Sequence, residues 1–402
     1  MNRINEMIRL QEYKNVKRIK LKDCCSAIFS GGTPLTSKEQ YYDGNIPWIR
    51  SGEIDFNRIF RSERNISQEG LENSSAKLIR PKSVVMAMTG ATVAKVATIE
   101  AEMAANQSVC ALETNSQLDY RFLYFYLATK YLQLRNSAQG ALTSLNLERI
   151  KNIEIPLPPL NIQKEIVSIL DSFTSLIDKM KQEVEMRKKQ MEYYREKLLA
   201  PQKSWEIKTL GEIGTFTRGN GLQKSDFRDK GFPCVHYGQI HTYYKTCIYK
   251  TKSFCEEDLA KKLQKASYGD LLIATTSEDV KACCKAAVWF GDGDVAYSGD
   301  SFRYSHDQNP KYMAYLFQTE MFAKQKQKAA TGAKVVRVSG ESMASFSFAF
   351  PPLAQQRQIA SILDSFETYI SKLEQMIELR QKQYEYYREK LGHLHSSVDK
   401  KV

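Results

Sequence analysis

The sequence predicts an α+β protein in which two mixed globular domains alternate with two long helices. A segment that begins at Pro158 returns at Pro351 without a gap, with 25 identities in 41 aligned positions. Each copy continues as a polar and apolar periodic stretch without an interior proline. The sequence that precedes each copy is different in character, because it contains short apolar runs and Gly-rich turns.

The repeat divides the chain into five predicted segments. They are a first globular domain (1–157), a first long helix (158–200), a second globular domain (201–350), a second long helix (351–392) and a tail (393–402). Each globule is about 150 residues long, which is an ordinary size for a domain.

Inside the globules, short patterns predict strands and helices. The apolar runs at 83–88 and 270–274 have the length and composition of buried strands. Amphipathic stretches at 121–134 and 311–324 predict one helix in each globule. Strands and helices in both globules support the α+β class.

The two copies of the repeat are predicted to form one long helix each. The Pro-Pro pair marks the start, because proline fits the first turn of a helix and breaks its interior. Apolar residues then recur at alternating steps of three and four, as in a coiled-coil seam. Because a lone helix with an apolar stripe needs a partner, we expect the two copies to pack as an antiparallel coiled coil with pseudo-twofold symmetry. The predicted seam comprises Ile162, Ile166, Ile169, Phe173, Leu176, Met180, Val184, Met191, Tyr194 and Leu198, with Ile359, Ile362, Phe366, Ile370, Leu373, Ile377, Tyr384, Tyr387 and Leu391 in the second copy.

The positive charge lies on the globules. The chain has a net charge of +12, of which 1–157 and 201–353 carry +5 each, whereas the two helical segments are close to neutral. Such a surplus suggests an acidic partner, most often nucleic acid. There is no apolar run of membrane-spanning length and no apolar core of a secretion signal near the N-terminus, so we expect a cytoplasmic protein.

Catalytic and metal-binding motifs are missing from the sequence. It contains no phosphate-binding loop, no His-Glu-x-x-His, no nucleophile elbow and no Cys-x-x-Cys. The eight cysteines are expected to be reduced and to pack as small apolar residues. The stretch Glu278–Lys281 is better explained as a polar loop than as part of a nuclease site. We therefore expect a chain without catalytic activity and without a metal site.

These features together resemble one family. The two near-identical helices that open with Pro-Pro-Leu-x-x-Gln, their Ser-Ile-Leu-Asp-Ser-Phe cores, the Gly-Gly-Thr-Pro before Asn45–Ile54 and the His-Tyr-Gly-Gln-Ile-His-Thr of the second half are similar to the DNA-specificity subunit of type I restriction–modification systems. The resemblance covers essentially the whole chain. The second globule has Gly219-Asn220-Gly221 in place of Gly-Gly-Thr-Pro, as expected if the two globules read different sequences.

The resemblance implies a division of labour. Subunits of this family have no catalytic site, read a split DNA sequence and hold two copies of an adenine methyltransferase subunit, while motor-nuclease subunits join to cleave unmethylated DNA. S-adenosylmethionine is expected on the methyltransferase partner, and ATP and Mg on the motor-nuclease partner, so this chain itself is expected to bind no cofactor.

The layout itself suggests how such a chain reads DNA. Two globules related by a pseudo-twofold axis can face one side of a duplex, with half-sites centred about 10 base pairs apart. Since the globules differ, the target is expected to be bipartite and asymmetric, and the paired helices would set the spacing between its halves.

Basic and aromatic residues near the Gly-rich turns are the candidate DNA contacts, because Arg and Lys suit phosphates or guanine and Gln suits adenine. Arg50 and Gln239 fall at corresponding places in the two halves, which makes that loop the best candidate for base reading. A basic run formed by Lys324, Lys326, Lys328 and Lys334 suits phosphates. The candidates are Lys38, Tyr41, Tyr42, Arg50, Arg58, Arg61, Arg64, Lys224, His236, Tyr237, Gln239, His241, Tyr243, Lys245 and Lys334.

Each repeat ends in the same Tyr-Tyr-Arg-Glu-Lys sequence. It either contacts the methyltransferase partner or only closes the helix pair, and it supplies the candidates Tyr193, Tyr194, Arg195, Tyr386, Tyr387 and Arg388. The alternative function is a cytosolic coiled-coil scaffold that joins protein partners without DNA. That alternative does not explain why the positive charge lies on the globules while the helices are neutral.

Overall fold

The computed structural model describes residues 16–138, 144–332 and 335–392. The chain divides into two compact units. The first extends to Lys181 and includes the residues from Gln375 onward, and the second comprises Gln182–Glu374. Each unit therefore combines one globule with parts of both long helices. The predicted α+β class is confirmed, because sheets and helices occur together in each unit.

The first globule contains a five-stranded sheet, a four-stranded sheet and a two-stranded ribbon. Its strands are β1 (Arg18–Lys20), β2 (Cys25–Ser30), β3 (Ile46–Ile49), β4 (Arg58–Ile59), β5 (Asn65–Ile66), β6 (Leu78–Ile79), β7 (Ser83–Ala87), β8 (Val96–Ile99), β9 (Met103–Ala105), β10 (Val109–Thr114) and β11 (Glu154–Pro156). Its helices are α1 (Leu21–Cys24), α2 (Gln68–Glu72), α3 (Tyr120–Thr129), α4 (Tyr131–Ser137) and α5 (Leu147–Lys151). The larger sheet has the order β2-β10-β7-β8-β4, the smaller one β5-β3-β9-β6, and β1 pairs with β11.

The long helix α6 (Leu160–Leu198) leads to the second globule. There the strands are β12 (Glu206–Thr209), β13 (Gly214–Arg218), β14 (Phe232–Val235), β15 (Cys247–Ile248), β16 (Ser253–Cys255), β17 (Lys265–Ala266), β18 (Leu271–Ala274), β19 (Thr276–Ser277), β20 (Lys285–Trp289), β21 (Val295–Tyr297), β22 (Ser301–His306), β23 (Val336–Arg337) and β24 (Ser347–Phe350). The helices are α7 (Leu210–Ile213), α8 (Tyr237–Thr242), α9 (Glu257–Ala260), α10 (Pro310–Leu316), α11 (Glu320–Ala329) and α12 (Gly340–Ala344), followed by the second long helix, α13 (Leu353–Gly392).

The two globules share one topology. The sheet orders β13-β22-β18-β20-β15 and β16-β14-β21-β17 repeat those of the first globule strand for strand, and β12 pairs with β24 as β1 does with β11. The faint sequence relation between the halves therefore reflects a duplicated fold.

Both predicted apolar strands are present, and both predicted globular helices are broken. All five side chains of β7 and all four of β18 are buried. The helix expected over 121–134 divides into α3 and α4 at Lys130. The helix expected over 311–324 ends at Leu316, and α11 starts afresh where the Thr319 hydroxyl accepts a hydrogen bond from the Phe322 N–H. Such an N-cap begins a new helix within a periodic sequence.

Within each unit the long helices run antiparallel. In the second unit, Lys188 lies 3.1 Å from Glu374, and further along α6 the ring of Tyr194 stacks on Phe366 with centroids 5.5 Å apart. Residue numbers rise along one helix as they fall along the other. In the first unit, Phe173 stacks on Tyr387, also at 5.5 Å. This is the same contact of the repeat with the two helices exchanged.

Leu391 lies outside the described side chains, and among the other predicted seam residues the prediction is correct for most and wrong at two. Leu176 and Ile362 are exposed, whereas their sequence neighbours Ile177 and Leu363 are buried. Adjacent apolar residues lie about 100° apart on a helix, so either one extends the pattern of three and four. Only the packing decides which of the two faces inward.

A buried glutamine fixes each long helix to its own globule. The Gln163 amide donates to the carbonyl oxygens of Pro158 (2.8 Å) and Gln117 (2.9 Å), and its oxygen accepts from the Asp119 N–H at 2.8 Å. Its side chain is fully buried.

Gln356 repeats this arrangement in the second unit. It donates to the Pro351 carbonyl oxygen at 2.9 Å and to the Gln308 side chain at 2.6 Å, and it accepts from the Asn309 N–H at 3.0 Å. The repeated Pro-Pro-Leu-x-x-Gln sequence is thus a joint between helix and globule.

An acidic residue of each helix adds an ion pair to that joint. Asp171 bonds to the buried Arg121 guanidinium, which also lies 4.9 Å and 4.8 Å from the ring centroids of Tyr124 and Phe125. In the second unit Asp364 pairs with Lys311 at 2.6 Å. The two aspartates occupy the same position of the repeat.

We expect the substitution Gln163→Leu to lower the free energy of unfolding of the first unit by about 2–4 kcal/mol, because three buried or half-buried hydrogen bonds to the backbone are lost. Urea denaturation measures the change. Gln182→Leu is the control, since Gln182 is exposed on the same helix and its replacement should cost less than about 0.5 kcal/mol. Equal losses for the two variants would contradict this role of Gln163.

Candidate nucleic-acid interface

Three loops converge at the same place in both globules, and the first is the Gly-rich turn after β2 and β13. A Cβ atom at Gly31 would overlap the carbonyl oxygen of Ala105, and one at Gly219 would overlap that of Ser298. Only glycine therefore lets the turn lie against the segment that follows β9 or β21. In the first globule a backbone hydrogen bond from the Gly31 N–H to the Val109 carbonyl oxygen (3.0 Å) fixes this turn in place.

The second loop follows β3 in the first globule and β14 in the second. These strands pair in parallel with β9 and β21, respectively. Arg50 and His236 come directly after these strands. Each begins a short helical turn, in which its N–H donates to Glu53 (2.8 Å) or to Gln239 (3.0 Å). Arg50 thus corresponds to His236, and Gln239 to Glu53.

The predicted equivalence of Arg50 and Gln239 is therefore wrong by three residues. The strand register places Ile49 and Val235 at the same position, which fixes the alignment. The Gln239 side chain is also occupied at both ends, because its amide nitrogen donates to the Ser253 hydroxyl at 2.7 Å. Its amide serves the loop rather than pointing outward.

The third loop comprises Asn106–Ser108 in the first globule and Ser298–Asp300 in the second. In the second globule the three loops enclose an open cavity of about 510 Å³. The residues around it are Arg218, Gly219, Asn220, Gly221, Leu222, Gln223, His236, Tyr237, Ser298, Gly299 and Asp300.

This cavity presents hydrogen-bond donors and acceptors side by side. The exposed Arg218 is held by a hydrogen bond from its Nε to the Gly299 oxygen at 3.0 Å. The Asp300 carboxylate accepts from the Thr276 hydroxyl at 3.2 Å. Burial, together with the nearby Lys224 charge, lowers the pKa of His236, so its ring is neutral at pH 7 and its Nδ1 accepts from the Gly238 N–H. Base edges and phosphates require such mixed polar groups.

In the first globule the tyrosines support the loop instead of projecting from it. Tyr41 is buried and its hydroxyl accepts from Lys38 at 2.9 Å, while the Tyr42 hydroxyl donates to the Pro34 oxygen at 2.6 Å. The Thr33 hydroxyl donates to the Gln107 side-chain oxygen and so connects the first loop to the third. Gln107 is therefore a further polar residue of this loop cluster, one that the sequence alone did not single out.

The other predicted DNA contacts differ in their exposure and in whether their side chains already have a partner within the protein. Arg61, Arg64, Lys224 and Tyr243 are exposed. Arg50 pairs with Glu63 at 2.8 Å, Arg58 with Glu100 at 2.9 Å and Lys245 with Glu374 at 2.8 Å. His241 bonds to the Thr276 oxygen at 2.9 Å, and Tyr237 is half-buried.

The predicted phosphate-binding run is only partly available. Lys326 is buried, and its ammonium group donates to the carbonyl oxygens of Lys281 (2.9 Å) and Cys283 (2.8 Å), so its assignment to phosphate is wrong. Burial also lowers the pKa of Lys326. Lys324 and Lys328 are exposed, and Lys334 lies outside the described residues.

The predicted partner contacts separate into two groups. Tyr194 and Tyr387 lie inside the helix packing, whereas Tyr193 and Tyr386 are 60% and 55% exposed. Arg195 and Arg388 are half-buried, and Arg388 lies over the Tyr384 ring at 5.6 Å.

An exposed apolar stripe extends from these tyrosines along each long helix. Its members stand seven residues apart at equivalent positions of the two copies, Met186 and Tyr193 in α6, and Leu379 and Tyr386 in α13. Sequence reasoning placed only the tyrosines on this surface. The retention of apolar residues outside the seam in both copies was the signal that could have found the rest.

Within the described residues, no group of three or more His, Cys, Asp or Glu side chains could hold a metal ion. None of the helices in these ranges is long and apolar enough to span a membrane.

Comparisons with known proteins identify the duplicated unit. The sequence model of the family described as type I restriction modification DNA specificity domain matches residues 13–186 and again 202–381. A putative type I restriction enzyme specificity subunit of Haemophilus influenzae is 31% identical over 304 residues, covering 71% of this chain and 75% of that protein. The EcoR124I/EcoR124II specificity subunit of Escherichia coli is 28% identical over 306 residues, covering 73% and 75%.

Solved structures share the fold. The S subunit of a type I restriction–modification system from M. genitalium superposes with a TM-score of 0.57 at 14% identity, covering 94% of this chain and 96% of that one. A structure from work on complex assembly and conformational transition of the type I system gives 0.60 at 15% identity, with the same coverage.

For Lys224→Ala we expect DNA affinity to fall about equally for all sequences, with the slope of log affinity against log salt reduced by about 1, because one phosphate contact is lost. A salt titration of binding measures this. Lys326→Met is the control: it should lower stability, because two carbonyl oxygens lose a buried donor, and should leave the salt slope unchanged. The opposite pattern would contradict the assignment of these lysines.

Proposed function

Because the chain belongs to the family of type I restriction–modification DNA specificity subunits, we propose that each of its globules reads one half of a bipartite, asymmetric DNA target through the three convergent loops. The chain is the DNA-recognition subunit of such a system and is not itself an enzyme. The scaffold function without DNA is not favoured.

One observation carries this proposal: the two globules share the same sheet topology and present different side chains at the loops. Arg50 in the first globule is replaced by His236 in the second, and Gln107 by Gly299. Two domains that share a topology but present different side chains are suited to recognise two different half-sites. Exposed lysines and arginines would add phosphate contacts that set the position of each globule.

The paired long helices would determine the distance between the half-sites. Each is joined to its own globule by Gln163 or Gln356, so a change in helix length would move one globule relative to the other. One heptad corresponds to about 10 Å of helix, or about 3 base pairs of duplex. The unread spacer of the target is therefore proposed to depend on the helices and not on the globules.

The exposed stripes on α6 and α13 are the proposed binding surfaces for two methyltransferase subunits. They repeat at equivalent positions, so they offer two copies of one surface, and exposed apolar stripes at helical spacing fit a partner helix. Motor-nuclease subunits would join that complex. S-adenosylmethionine would then be held by the methyltransferase partner, and ATP and Mg by the motor-nuclease partner, with the assembly acting on cellular DNA in the cytoplasm.

Exchange of residues 1–157 for the equivalent domain of another family member is expected to change one half of the methylated target. The other half and the spacer length should stay as they were, because the second globule and both helices are unchanged. Methylation-sensitive sequencing of DNA from cells that express the hybrid measures all three. Alteration of both halves would argue against separate reading by the two globules.

Introduction of Met186→Glu together with Leu379→Glu is expected to abolish co-purification of the methyltransferase subunit, because a charge would be buried in each apolar contact. Glu192→Gln with Glu385→Gln is the control, since both residues are exposed on a different side of each helix. Retained binding in the first variant, with an unchanged circular dichroism spectrum, would exclude the stripes as the docking surface.

A further inference from the structure

Two adjacent cysteines, Cys283 and Cys284, close the loop between β19 and β20. Their Sγ atoms lie 3.9 Å apart, and both side chains are buried. Neighbouring side chains of an extended strand point to opposite faces, which separates them. Here Cys284 has a left-handed backbone with φ of +61°, which breaks this alternation and leaves both thiols on one side of the turn.

The turn itself does not require thiols. In the first globule Ala94 has the same left-handed conformation, with φ of +67°, and its N–H donates to the Ala87 oxygen at 2.8 Å. The Cys284 N–H donates to the Ala274 oxygen at the same distance. Val93 and Ala94 thus occupy the positions of Cys283 and Cys284, and the second globule carries a dithiol on a backbone that forms without one.

Both cysteines border a cavity of about 540 Å³. The Lys326 ammonium donates to the Cys283 carbonyl oxygen at 2.8 Å. A hydrogen bond with Cys284 and the Lys326 charge lower the pKa of Cys283 against the effect of burial, whereas the same thiol contact and burial raise the pKa of Cys284. A larger thiolate fraction makes a cysteine a better nucleophile and a better ligand for soft elements.

We propose that Cys283 and Cys284 form a dithiol site that captures trivalent arsenic compounds of the arsenoxide class. Two S–H bonds break and two As–S bonds form, and the arsenoxide oxygen leaves with both protons as water. Neither sulfur nor arsenic changes oxidation state, so no oxidant or reductant is needed. Two sulfurs held on one side of a turn suit a single bridging atom.

The site is connected to the reading loops of the second globule. The Cys283 thiol donates to the Thr275 oxygen at 3.1 Å, and the Thr275 N–H donates to the Asp300 oxygen at 3.2 Å. Asp300 borders the cavity that also contains Arg218. Arsenic capture removes the thiol hydrogen from this chain of bonds, so it should weaken recognition of the half-site read by this globule. This second step rests on the proposed function.

The test of capture uses the full-length chain and phenylarsine oxide, with mass spectrometry of the intact protein and of its peptides. We expect one adduct on the peptide that contains Cys283 and Cys284, resistant to a monothiol and removed by a dithiol. The variant Cys283→Val with Cys284→Ala copies the first globule, so it should fold with an unchanged melting temperature and lack the adduct.

Cys24 and Cys25 are a second pair of adjacent cysteines and provide an internal comparison. They lie at the junction of two elements, where Cys24 ends α1 and Cys25 begins β2. A monothiol-resistant adduct confined to that pair, or none on the folded wild-type chain, would overturn the proposal. So would an adduct that persists at the same level in the double variant.

The test of coupling uses the chain, assembled with its methyltransferase partner, and its methylated target. The adduct is expected to reduce affinity about tenfold, as a mismatched base pair would, whereas the double variant should bind normally and be insensitive to phenylarsine oxide. Capture without a change in affinity would refute the coupling alone. If the untreated complex showed no sequence-specific binding, the proposed function would fail while the mass result would stand.

Discussion

The arrangement of this molecule depends on a buried glutamine that joins each long helix to its globule. Gln163 and Gln356 satisfy the backbone at the helix start and at the end of the neighbouring loop simultaneously. Rotation of a globule about its helix would leave these buried groups unpaired, which costs about 1–3 kcal/mol for each. The Asp171 and Asp364 ion pairs act in the same direction. Each globule is thereby fixed to the start of one long helix.

A fixed base allows the reading surface to vary. The glycines at 31 and 219 hold the first loop against a backbone carbonyl, and parallel strand pairs fix the register of the second. What differs between the globules is the side chains that this shared scaffold presents. Gene duplication of one such unit, followed by divergence that includes the loops, would give two domains with different sequence preferences and a common spacing device.

The sequence predicted the duplicated architecture because the helical repeat is long and its periodicity is a local property. It also predicted the buried strands β7 and β18, whose apolar runs carry the same signal. It failed where packing decides between neighbours, as at Leu176 and Ile362. It also misplaced Lys326, because charge in a sequence does not reveal that an ammonium group is buried between two carbonyl oxygens. The match of Arg50 with His236 required the strand register, which faint similarity could not supply.

We propose that this one chain specifies a bipartite, asymmetric DNA target. The most direct test is to map N6-methyladenine in native DNA from the source cell with and without this gene. We expect deletion to remove methylation from one motif with two unlike halves and a spacer of fixed length. Loss of a palindromic or continuous motif would contradict reading by two different globules. So would unchanged methylation in a cell whose methyltransferase partner is expressed.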